Sequence, residues 1–142
     1  MNEQSTASSH PLSDALRLRL QKLRRGLLRL HKVLLDGERD RYEQVFGRVA
    51  SSGALLQLVI HDEQFAWLRS ISELIVRMDE MLDADEPATQ ADAENVLAQV
   101  RSLLKSATSG AGFGEKYRAA LQHDPDAILA HAEVSKFPTE QQ

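Results

Sequence analysis

Four consecutive polar residues, His61-Asp62-Glu63-Gln64, follow directly on the most apolar run of the chain, Ala54 to Ile60. An imidazole with carboxylates in reach is the combination that serves as a general base, a proton-responsive group or one ligand of a metal. Folding the chain back at a turn near residue 50 makes facing positions sum to roughly 100, as in an antiparallel helix pair. His61 then stands level with Arg39, near Glu38, Asp40 and Tyr42. His61, Asp62, Trp67, Tyr42 and Asp40 are therefore the candidate ligand-binding residues. The competing expectation is structural: a polar turn facing solvent, or a histidine satisfied by a carboxylate of the preceding helix.

A second candidate is electrostatic. Between Arg17 and Lys32 the chain carries Arg17, Arg19, Lys22, Arg24, Arg25, Arg29 and Lys32 with no acid among them. Between Asp79 and Glu94 it carries Asp79, Glu80, Asp83, Asp85, Glu86, Asp92 and Glu94 with no base among them. The same fold-back sets Arg17 level with Asp83 and Arg24 near Glu80, so the blocks partly neutralise each other. Exposed ion pairs contribute only about 0–1 kcal/mol each, so their effect is on pairing direction more than on stability. Lys22, Arg25, Arg29 and Lys32 point away from the leucine stripe and are the candidate anion-binding residues. Nucleic acid is disfavoured, because no aromatic residues interleave with these bases and no helix-turn-helix spacing is present.

Other chemistries find no support. With no cysteine there is no thiolate nucleophile, disulfide framework or zinc ribbon. Neither Glu-x-x-His nor His-x-x-x-His occurs, so no metal site or cofactor is expected. Gly110 to Gly114 resembles a phosphate-binding glycine loop only superficially, since it follows a helix rather than a strand. It reads instead as a connection that lets Phe113 drop onto the bundle. No catalytic residue is assigned, and the reading leans towards a non-enzyme.

The elements that would position these residues are helical throughout. Ser13 can cap a first helix, with Asp14 in its positive first turn. Leu16, Leu20, Leu23, Leu27, Leu30 and Leu34 recur at spacings of three and four, and Tyr42, Val45 and Phe46 extend the stripe past Gly37. A second long helix is expected from Ala54 to Leu82, with Leu56, Ile60, Trp67, Ile71, Leu74, Ile75, Met78 and Leu82 as its broad apolar face. Leu58, Phe65 and Val76 give it a second apolar side, as expected of a central helix or one covered by another copy. Asp83 to Gln90 is a loop, and Thr89 with Asp92 forms a capping-box start. A third helix carries Val96, Leu97, Val100, Leu103 and Leu104 to about Ala107. Two short helices follow, Gly114 to Gln122 and one opened by Asp124 and Pro125.

The expected fold class is therefore all-α: an antiparallel up-and-down helical bundle of two long helices, a medium one and a broken C-terminal helix. Residues 1–12 are expected to be a disordered tail, 13–136 the bundle domain and 137–142 a flexible end. Across 142 residues, 42% hydrophobic content suffices for one sizeable core, and a net charge of −4 gives no general attraction to polyanions. No signal peptide or membrane span is apparent, which makes a cytoplasmic location the default.

The stretch GALLQLVIHDEQFAWLRSISELIVRMDEMLD, with LHKVLLDGERDRYEQVFGRV before it, resembles a group of small bacterial all-helical proteins without assigned function. That resemblance spans roughly residues 20 to 135 and implies a bacterial cytosolic setting and no activity. The leading expectation is a non-enzymatic bundle acting through protein–protein contacts, as a homodimer or accessory subunit. The alternatives are a ligand-binding or catalytic bundle around His61, Asp62 and Trp67, and anion or nucleic-acid binding on the basic helix face.

Overall fold

A computed structural model describes residues 10–83, 88–106 and 112–139 of the chain. Among these residues all named elements are helical: α1 (Asp14–Phe46), α2 (Ser52–His61), a 3-10 helix (Glu63–Leu68), α3 (Arg69–Asp83), α4 (Gln90–Lys105), α5 (Phe113–His123) and α6 (Pro125–Thr139). None of the described helices is long and apolar enough to cross a membrane. The expected N-terminal tail through residue 9, Asp85 and Glu86, and the Gly110-Ala111 part of the glycine run lie outside the described residues.

Local chemistry starts the helices where the sequence suggests. The Ser13 hydroxyl accepts the Leu16 N–H at 3.1 Å, opening α1. Thr89 and Asp92 exchange side-chain and backbone hydrogen bonds at 3.1 and 3.2 Å, a complete capping box on α4. Asp124 accepts the Asp126 N–H at 2.9 Å, with Pro125 at the first helical position of α6. Gly37 does not interrupt α1, which continues to Phe46. A Cβ at Gly37 would meet Arg41 Nη1 and Asp124 Oδ2 at 3.7 Å and Arg41 Nη2 at 3.9 Å, which is ordinary contact. Gly37→Ala is therefore expected to raise stability by about 0.5–1 kcal/mol, because alanine is favoured over glycine in a helix interior. Thermal unfolding monitored by circular dichroism checks this.

The long second helix expected from Ala54 to Leu82 is instead three pieces. Asp62 adopts extended angles, φ −91° and ψ 134°, and its carboxylate accepts the Gln64 N–H at 2.8 Å. An aspartate that hydrogen-bonds nearby backbone competes with helix continuation, so α2 stops there and the chain restarts as a 3-10 helix. The break changes the register between the two sides. Phe65, Leu68, Ile71 and Met78 are fully buried, whereas Leu56 and Ile60, expected on the core face, are 55% and 47% exposed.

The fold-back of α1 on α3 is present as expected. Arg24 pairs with Asp79 at 2.7 Å, and Arg17 donates to the Leu82 carbonyl at 3.4 Å. On its other side α1 packs against α6, where Arg19 donates to the Phe137 carbonyl at 2.6 and 2.9 Å. Both α3 and α6 also pack on α4, which closes a four-helix layer around Leu20, Leu23, Leu27, Leu30, Ile71, Val96, Val100 and Val134. Beyond the end of α4 the core continues between α1, the 3-10 helix and α5. There Trp67, Phe113 and Tyr117 stack in series with centroids 5.7 and 5.4 Å apart, and Phe113 drops onto the bundle as expected.

The folded body extends past both boundaries set from composition. Leu12 is buried and its N–H reaches the Ala88 carbonyl at 3.0 Å, while His10 accepts the Gln90 N–H at 2.9 Å. At the other end, residue 137 lies inside α6 and supplies the carbonyl that Arg19 grips.

Candidate functional site

Glu38 is the one charged or polar side chain classed with the interior among the described residues, at 5% exposure. It sits on α1 four residues past Leu34, so the helical period turns it inward with the leucines. Three side chains converge on its carboxylate. Trp67 Nε1 donates to Oε1 at 2.8 Å, and Gln64 Nε2 donates to Oε2 at 2.9 Å. Arg41, one turn along α1, approaches the two oxygens at 3.3 and 3.4 Å. Burial pushes the Glu38 carboxyl up, but the hydrogen bonds from Gln64, Arg41 and Trp67, with the charge of Arg41, outweigh it and hold the group below the ordinary value.

Two neighbouring clefts lie here, of which one reaches the carboxylate. One, of about 540 Å³, is lined by Glu38, Arg41, Gln64, Lys116, Ala119 and His123. The other, of about 440 Å³, shares Arg41 and His123 but is walled by Asp36, Asp40, Asp124 and Asp126. Both lie where α1 passes the turn between α5 and α6. Among the described residues no three His, Asp or Glu side chains are grouped so as to hold a metal ion.

The residues singled out from sequence are not gathered into one pocket. His61 is exposed at the end of α2 and shares only a shallow 290 Å³ depression with Gln57, Leu58 and Asp62. Asp62 is engaged as a cap. Trp67 is buried and turned to Glu38. Tyr42 packs its ring against Phe46 and Phe65, with centroids 4.8 and 5.8 Å away. Asp40 lines the acidic cleft. Glu38, one of the α1 carboxylates expected near His61, is engaged by Trp67, Gln64 and Arg41 instead. Glu38 itself was not among the sequence candidates, although its place on the leucine stripe marks it.

The basic face is partly consumed internally. Arg29 meets Glu133 at 3.4 Å and Lys32 meets Asp36 at 2.9 Å, while Lys22 and Arg25 are exposed without an ion pair among the described residues. On the far side of the aromatic series, the buried Tyr117 hydroxyl lies 2.6 Å from His131 Nδ1. Burial raises the Tyr117 phenol and lowers the His131 imidazole, which favours the neutral form of both partners.

Large apolar side chains are also exposed at the end of α1 and on α2. Glu43 accepts the Val49 N–H at 2.8 Å and Arg39 reaches the Val49 carbonyl at 3.4 Å, which fixes the turn from α1 into α2. That turn leaves Val45 and Phe46 of α1 73% and 66% exposed. Beyond it, α2 packs chiefly on the 3-10 helix and has no fully buried residue. Comparison with family models, with curated proteins and with solved structures finds no match for this chain.

Proposed function

We propose that the protein is a binding module that acts through protein–protein contact, pairing with a second copy of itself across the apolar end formed by α2 and the last turn of α1. The supporting observation is the exposure of Val45 and Phe46 in the last turn of α1 and of Leu56 and Ile60, one helical turn apart, on α2. Large apolar side chains left in water at one place mark an interaction surface. The partner follows from charge. Residues 49–60 contain no Asp, Glu, Lys or Arg. In a two-fold contact each residue faces the same region of its copy, so a charged surface would repel itself whereas an uncharged one closes without that penalty. Along residues 49–60 an acidic or basic partner would find no charge to complement it.

Sedimentation of the full chain is expected to show a dimer that dissociates on dilution. Leu56→Glu combined with Ile60→Glu is expected to yield a monomer with unchanged helix content, since both side chains point away from the core. A wild-type chain that stays monomeric up to about 0.1 mM, or a double variant that still dimerises, refutes the reading.

A further inference from the structure

We propose that the cleft bounded by Arg41, Lys116 and His123 is a binding site for a small oxyanion, a carboxylate or phosphate carried on a metabolite-sized molecule. At about 540 Å³ the cleft has the size of small-molecule sites. Three basic side chains from α1 and α5 line it. Its one carboxylate, Glu38, is buried and paired with Arg41, which leaves Lys116 as a cation of the lining without an ion pair among the described residues.

Arg41 is set in advance for this task. Its Nε and Nη2 are turned to Glu38, which leaves Nη1 without a hydrogen bond among the described residues. A guanidinium fixed by a buried carboxylate loses little side-chain freedom on meeting an oxyanion, and its Nη1 donors remain to meet one. Gln64, held by the same carboxylate, stiffens the opposite wall.

The neighbouring cleft limits the size of the ligand. Asp36, Asp40, Asp124 and Asp126 lie just beyond Arg41 and His123 and repel any anion that continues in that direction. A nucleic acid or long polyphosphate is thereby excluded, and a compact anion is not. The inference is independent of self-association, because none of these residues belongs to the apolar end.

The chain has a single tryptophan, and its indole N–H sits on Glu38, so Trp67 emission senses the wall of this cleft. Inorganic phosphate and succinate are titrated separately into the full chain at matched ionic strength against sodium chloride, by fluorescence and by calorimetry. At least one is expected to bind saturably with a Kd below about 1 mM. A response to phosphate alone identifies a phosphate-borne ligand, and one to succinate alone a carboxylate. Lys116→Ala, at an exposed position, is expected to weaken binding about tenfold with an unaltered melting temperature, the loss typical of one charge-assisted hydrogen bond. Lys22→Ala on the basic face of α1 is expected to change nothing. No saturable signal by either method, or equal affinity in Lys116→Ala, overturns the proposal.

Discussion

Glu38→Ala is expected to lower stability by about 3 kcal/mol, read as a fall in the urea midpoint with unchanged slope. The substitution strands the Trp67 indole N–H in the interior and takes the carboxylate acceptor from the half-buried Gln64 amide. Leaving a buried donor unsatisfied costs about 1–3 kcal/mol, and removal of a charged acceptor lies at the upper end. Arg41 suffers less, because its side chain is 40% exposed and water can take over. Glu38→Gln should fall between alanine and wild type, since an amide oxygen still accepts one donor. A near-normal midpoint for Glu38→Ala would show that water enters the cleft and replaces the carboxylate.

The same residue gives the protein an acid-sensitive component with a definite sign. Its carboxyl titrates below the ordinary value of 4.5 in the folded chain. As the pH falls through that ordinary range, the unfolded chain takes up the proton first, and folding loses the contribution of the ionised form. The stability is fully present above the ordinary carboxylate range and is lost on the way down to the native value. His31 and His131, both held low by burial, add their own loss beginning near 6.5. The quantity to measure is therefore the difference between wild type and Glu38→Gln. It should be constant from neutral pH to about 6 and shrink below 4.5, because only the wild type titrates at this position.

The spacing of apolar residues made most of the bundle legible, for a physical reason. Leu20 to Leu34 can be buried together only on one side of a helix, and the opposed charge blocks require α1 and α3 to run antiparallel, as Arg24 and Asp79 do. Caps were legible for a similar reason, since Ser13, Thr89 and Asp124 act within three residues of their own positions. The break at Asp62 was harder to see. Its flanks are apolar enough to continue a helix, and the outcome turned on one aspartate choosing the Gln64 N–H. That choice re-aimed Leu56 and Ile60 and created the exposed face. The site was misplaced because His61 drew attention as the rarer chemical group, whereas burial selects by position. Glu38 lies in phase with the leucines and His61 does not. The contribution of α5, which brings Lys116 and His123 beside Arg41, depends on contacts about 80 residues apart in sequence, which no local pattern encodes.

Gly26→Leu is expected to destabilise the fold by about 3 kcal/mol, chiefly by forcing α1 and α6 apart. Gly26 is buried where the helices cross, and a Cβ there would lie 3.1 Å from Val134 Cγ2 and 3.9 Å from Val134 Cα. A single methyl requires Val134 to give by a few tenths of an ångström, and the gain in helix propensity of about 1 kcal/mol offsets that, so Gly26→Ala should be nearly neutral. Leucine adds three further carbons with no space to receive them. The displaced α6 would also loosen the grip of Arg19 on the Phe137 carbonyl, a 2.6 Å hydrogen bond across the same pair of helices. A double-mutant cycle isolates the cause. Val134→Ala alone should cost about 2 kcal/mol, because this side chain is fully buried. Combined with Gly26→Leu it should cost less than the sum of the two by 1 kcal/mol or more, roughly the coupling expected of residues in direct contact. Strict additivity would mean that the damage arises elsewhere along α1, and that the close approach of the two helices is not what glycine provides at this position.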